Sequence, residues 1–239
     1  MNRQSQAAVL FLLGAALLHA GTTDLYLRYV KSGLRPLVLA AGAVLIVTAL
    51  ATVRYERRRA KAQGTEGAHV HPEPRVSWLL VLPLLALILV APPALGSYSA
   101  TRTGTALQEP LAYPPLPATG PLSLSLVDYA GRAVYDHGRT LAGREVEVTG
   151  FVALDHDGTP YLIRMALNCC AADAQPVKVA LTGRIPPVLQ PDTWLTVTGT
   201  YTPRRTEDPV NGGPIPFLKV TAAAPVKAPR DPYDESWNN

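Results

Sequence analysis

The chain has 239 residues, 48% of them apolar and 17% charged, with a formal net charge of +4. That length holds one ordinary globular domain and a further region, since single domains commonly take ~100–200 residues. The charge excludes a simple nucleic-acid binder. Ten Lys and Arg stand against four Asp and Glu before Gly96, and twelve against fourteen after it, so the half that reads as soluble offers no basic face.

Three apolar runs crowd the first hundred residues, at about 7–29, 35–54 and 76–95. Each approaches the ~20 residues a helix needs to cross a hydrocarbon core. Pro83 kinks the third run, and Pro92 and Pro93 end it, because proline lacks the N–H donor a helix requires. The loop at 54–75 carries Arg54, Arg57, Arg58, Arg59, Lys61 and Arg75, whereas the first connection offers Arg28, Lys31 and Arg35. The more basic loop stays in the cytoplasm. The expected topology is therefore a multi-pass cell-membrane protein with its N-terminus inside and everything after Leu95 outside. A cleaved signal peptide is the rival reading of the first run. It leaves the C-terminal half on the same side.

From 97 to 121 the chain is rich in proline, which favours extended backbone, and it reads as a spacer holding a domain off the bilayer. Leu126, Val127, Ala130 and Val134 recur at helical spacing, with Gly138 as a stop. Five strands follow at 144–152, 160–167, 177–181, 193–201 and 215–221, with a bulge expected at Gly150. The fold class is thus an α + β membrane protein: N-terminal helices, then a small all-β domain at 122–224 with one flanking helix. An OB-like Greek-key barrel fits five short strands best. An immunoglobulin-like sandwich is second. Residues 225–239 read as a poorly ordered tail.

Cys169 and Cys170, the chain's two cysteines, are adjacent and cannot staple a fold by closing a loop. A bond between neighbours would be strained and labile. As thiols, with the Asp173 carboxylate, they offer donors for a soft or borderline divalent metal, though a complete tetrahedral shell needs more ligands. The plain alternative has a thiol packing as a small hydrophobe and Asp173 capping the turn. His69 and His71 place two imidazoles in the basic loop, a weak metal site. His137 and His156 stand alone. No serine, histidine and acid arrangement suggests a triad, and the chain is expected not to be an enzyme.

Four segments carry a resemblance: A-P-P-A-L-G-S at 91–97, G-R-E-V-E-V-T-G-F-V at 143–152, N-C-C-A-A-D-A-Q-P at 168–176 and D-T-W-L-T-V-T-G-T at 192–200. With them the chain resembles the YcgQ-like permease-subunit family, whose most specific element is C-C-x-A-D-A-x-P. The resemblance implies a non-catalytic accessory subunit, anchored in the lipid bilayer beside a multi-helix permease. Relatives of that kind often carry a longer His-rich loop after the second helix, which here has shrunk to His69 and His71. Two functions stay open: a transport partner, and an extracytoplasmic thiol protein that binds metal or senses redox state.

Overall fold

The computed structural model describes residues 3–62, 79–90, 92–155, 157–187 and 189–235. Two compact units emerge: Met1–Tyr26 with Ser32–Pro93, and Leu27–Lys31 with Ala94–Asn239.

In the first unit, α1 (Arg3–Thr22) and α2 (Arg35–Ala62) form an antiparallel pair. Small residues set their approach. Ala7, Gly14 and Gly21 recur every seventh position and are buried. A Cβ on Gly14 would lie 2.9 Å from the Gly42 carbonyl oxygen, so the two backbones touch there, as small residues allow between helices in lipid. Arg3 pairs with Glu56 at 2.6 Å, and Arg35 Nε donates to the Gly21 carbonyl. Large apolar side chains face outward instead, with Leu37 66% and Val47 65% exposed. Both helices are long and apolar enough to cross a membrane; at the N-terminus, a signal sequence also has that length and composition.

The helix ends differ from expectation. α1 stops at Thr22 rather than near 29, because the hydroxyls of Thr22 and Thr23 bond back to the carbonyls of Leu18, His19 and Ala20 and thereby occupy acceptors at its end. α2 runs on through Arg54–Arg59 to Ala62, where cations suit the negative end of the helix. From the third run comes α3 (Val81–Leu89), nine residues, or ~14 Å of rise. Positions 76–78 of that run lie outside the described residues.

In the second unit, five strands close a barrel: β2 (Glu145–Leu154), β3 (Pro160–Ala166), β4 (Gln175–Gly183), β5 (Trp194–Glu207) and β6 (Pro214–Pro225). Around the barrel the order is β2, β3, β4, β6, β5 and back to β2. Every pairing is antiparallel except β4 with β6. Closure rules out the sandwich, since β2 pairs with β5 through Phe151 and with β3 from Phe151 onward. Two short strands flank it: β1 (Leu122–Ser123) beside β2, and β7 (Tyr233–Asp234) beside β3.

The repeated V-T-G at 148–150 and 197–199 lies on paired strands, with Val148 opposite Val197. Both glycines are required by crowding. A Cβ on Gly150 would meet the Ile163 carbonyl oxygen at 2.7 Å, and one on Gly199 the Lys219 oxygen at 2.5 Å. Between β5 and β6 the register shifts at Thr198/Gly199 and again at Tyr201/Arg205; at Gly150 the β2–β5 register runs on unbroken, and the strand instead coils toward β3.

Helix α5 (Leu126–Val134) is capped by Ser125, whose hydroxyl accepts from the Asp128 N–H at 3.0 Å. Past Tyr135, Asp136 and His137, Gly138 takes a φ of +67° and donates to Arg132 O, supplying the stop. Tyr129, fully buried, donates its hydroxyl to the Phe217 carbonyl at 2.7 Å. The helix thereby sits over the barrel core of Val146, Val148, Leu162, Val179, Val197 and Leu218.

Residues 97–121 do not stand free. The segment opens as a short helix rather than extended chain, α4 (Ser97–Arg102), with Ala100 buried in it and Thr105 and Leu107 buried after it, and the extended chain beyond is bound along its length. Arg132 donates to Pro114 O, Arg144 to Pro117 O and Gly120 O, and Tyr135 to Leu107 O. An extended proline-rich chain satisfies few of its own carbonyls, so side chains of the domain take them. The tail also departs from expectation. Tyr233 and Asp234 are buried and pair with Met165 and Ala166, and Arg164 donates to Tyr233 O. Residues 236–239 lie outside the described residues.

Candidate functional site

β3 ends at Ala166 and β4 starts at Gln175, leaving an eight-residue connection that must reverse the chain. Its centre is the Asp173 carboxylate. Oδ1 accepts from the Asn168 N–H at 3.0 Å, and Oδ2 accepts from the N–H groups of Cys169 at 2.9 Å and Cys170 at 3.3 Å. In return the Asp173 N–H donates to Cys170 O, within a 3₁₀ turn at Ala171–Asp173. Three amides converging on one carboxylate tie the turn together from within.

The same oxygen, Oδ2, receives the Cys169 thiol at 2.7 Å. Hydrogen bonding to Asp173, and next to Cys170, pushes the Cys169 thiol up to about 11. For Asp173, burial works to raise the carboxyl. The hydrogen bonds from the Cys169 thiol and from the amides of Asn168, Cys169 and Cys170 outweigh it and hold the group below its ordinary value. Cys169 is exposed, Cys170 partly buried, and both are free thiols. The two sulfurs and a carboxylate oxygen lie within 4.8 Å of one another. The predicted trio is thus brought together, with Asp173 capping the turn as the plain reading held. His69 and His71, like His156, lie outside the described residues. His137 is exposed in the turn after α5.

Sequence reasoning missed what surrounds the trio. The segment joining α1 to α2 pairs with the cysteines: Val30 forms an antiparallel bridge to Cys170, Lys31 N donates to Cys169 O at 3.1 Å, and Ala171 N donates to Tyr29 O at 2.8 Å. Tyr233, 2% exposed, donates its hydroxyl to Arg28 O at 3.0 Å and accepts from Leu95 N at 3.3 Å. Nearby in the chain, Ser97 donates its N–H and hydroxyl to the Asp192 carboxylate at 2.6 and 2.9 Å. The first and last of the four sequence motifs therefore meet. A tyrosine between aspartates in a proline-rich tail was the available hint for Tyr233; nothing in the sequence signalled the Val30 bridge.

A separate cleft of about 820 Å³ lies between the strap at 108–114 and α5. It shares no lining residue with the cysteine loop.

These features define a class: a closed five-stranded barrel bearing a vicinal-cysteine loop, on a chain whose N-terminal helices are apolar enough for a membrane. Within it, residues 126–234 match the family model described as the DUF1980 C-terminal domain, a domain of unknown function that includes the whole cysteine loop. Neither the curated proteins nor the solved structures yield a match. A DUF1980 domain behind such helices is compatible with a membrane-associated accessory protein.

Proposed function

We propose that this chain is a membrane-anchored, non-enzymatic accessory subunit that holds an OB-type barrel on the outer face of the membrane beside a multi-helix permease. The observation that carries the reading is that Leu27–Lys31, the link between α1 and α2, folds as part of the barrel unit. A link between two membrane-crossing helices emerges on one side, and the barrel that includes it is on that side too. The opposite end of α2 carries Arg54, Arg57, Arg58, Arg59 and Lys61, which belong in the cytoplasm. The Gly14–Gly42 contact between α1 and α2 favours a retained helix over a cleaved signal.

The strand order supports an OB-type barrel, a fold that serves as a binding platform without specifying the ligand. A non-enzymatic role fits the thiol chemistry. Reactive cysteines sit in electropositive surroundings that favour the thiolate, whereas Cys169 donates a hydrogen bond to a carboxylate, which favours the protonated thiol. The permease partner comes from the resemblance of the four motifs. Affinity purification of the full chain from its native membrane in mild detergent tests it. Recovery of a polytopic transport protein is expected; repeated recovery of the chain alone overturns the reading.

A further inference from the structure

The Cys169, Cys170 and Asp173 loop has donors that the accessory role leaves unexplained. A turn needs only the carboxylate at its centre, and a serine or alanine in place of either cysteine would keep every amide contact to Asp173. Two thiols with a carboxylate oxygen within 4.8 Å form the donor set that a borderline or soft cation selects, since thiolate suits such ions and discriminates against calcium and magnesium.

The spacing is close to what such an ion requires. In a tetrahedral site with metal–sulfur bonds of ~2.3 Å and metal–oxygen bonds of ~2.0 Å, sulfurs stand about 3.8 Å apart and sulfur and oxygen about 3.5 Å. Here the Cys169 thiol is 2.7 Å from Asp173 Oδ2, with a proton between them. Putting a cation in the proton's place opens that contact by roughly 0.8 Å, a change side-chain torsions of an exposed cysteine can supply. The rest of the loop is already fixed, by the amides on Asp173 and by the Val30, Lys31 and Tyr29 backbone contacts.

We propose that Cys169, Cys170 and Asp173 bind a thiophilic divalent cation of the zinc class, in a shell that keeps at least one position open. On binding, each thiol releases its proton to the medium, and two thiolates and one carboxylate face the dication. Three donors from one exposed turn leave room for a ligand from a partner, as sites that keep an open position do. Such an ion exchanges rather than staples. If the accessory reading holds, this cation class is also the solute the partner permease carries, a step that rests on that reading while the site itself does not.

Cadmium is the probe, because its bonds to thiolate give an ultraviolet charge-transfer band. The reduced full chain in detergent is titrated with cadmium(II), alongside Cys169→Ser, Cys170→Ser, the double serine variant and Asp173→Asn. One cadmium per chain with a thiolate band is expected. Each single serine variant should weaken binding at least tenfold, and the double variant should lose the band while melting like the parent without metal. Serine keeps a donor for Asp173, so the turn survives; Asp173→Asn should weaken binding with the band retained. A parent spectrum no different from the double serine variant overturns the site, as does binding that the serine variants leave unchanged. An ion-binding chain with no permease beside it overturns only the solute assignment. A permease recovered with a chain that binds no cadmium overturns only the metal site.

Discussion

Replacing Lys178 with methionine tests how the strap at 103–107 is held. Lys178 projects from β4, and its ammonium lies 2.7 Å from Asp208 Oδ2 and donates to Thr103 O at 2.8 Å; the two side chains are 4% and 0% exposed. Asp208 also accepts from Thr105 N at 2.8 Å through Oδ2 and from Val210 N at 2.9 Å through Oδ1. Methionine fills the same volume but strands a buried carboxylate, and breaking one side of a buried pair costs about 3–5 kcal/mol. Two amides remain to solvate Asp208, so Lys178→Met should fall near the lower end, about 3 kcal/mol. Asp208→Ala strands the ammonium and both amides and should cost more, about 5 kcal/mol. In a unit of this size that is a fall in Tm of roughly 10 °C for the lysine variant, measured by near-ultraviolet circular dichroism of the full chain in detergent. Proteolysis should then reach the strap first. A loss under about 1 kcal/mol for Lys178→Met would refute the reasoning, since an exposed pair is worth no more than that.

Other consequences follow from the same contacts. Tyr233→Phe removes the hydrogen bonds to Arg28 O and Leu95 N, and should speed amide exchange at Arg28–Lys31 while costing the barrel about 1–2 kcal/mol. Gly199→Val drives a Cβ against Lys219 O and should destabilise by about 2 kcal/mol or more in a denaturant titration. Gly14→Leu should separate α1 from α2, seen as loss of a crosslink engineered between the two helices, with barrel stability unchanged. Asp136 supplies an acid-sensitive term. Burial raises its carboxyl, but hydrogen bonds from the Thr140 hydroxyl, the Thr140 amide and Arg139 hold it below its ordinary value. Its contribution is therefore present above the ordinary carboxylate range and is lost as pH falls through the lower folded value. Asp136→Asn should flatten the stability loss below roughly pH 4, followed by urea titration at stepped pH.

The barrel strands and α5 were legible because their signals are local: alternation, helical spacing, a serine cap and Gly138. The trio at Cys169, Cys170 and Asp173 was legible because its members are four positions apart at most. What escaped notice was pairing at long range. Composition told that 97–121 is extended, which holds beyond α4 but not for Ser97–Arg102, which is helical; the same composition also serves a free spacer and a strap, and side chains of the domain such as Lys178, Arg132, Tyr135 and Arg144 decide between them. The tail was misread for a similar reason, since β7 has two residues and draws its order from β3 and Arg164 rather than from its own sequence. The apolar character of Leu25 and Tyr26 suggests a first helix running to about 29, whereas Thr22 and Thr23 take up its last carbonyls and it ends at Thr22.

The account rests on the barrel and the Leu27–Lys31 link lying together outside the membrane. Cys169 and Cys170 are the two cysteines of the chain, and Cys169 is exposed, so the native protein carries its own reporter. Intact cells expressing it are treated with a membrane-impermeant maleimide at mildly alkaline pH, which offsets the grip of Asp173 on the thiol proton, and the serine double variant serves as the blank. The account predicts labelling of intact cells equal to that after permeabilisation. Labelling that appears only once the membrane is opened would contradict it.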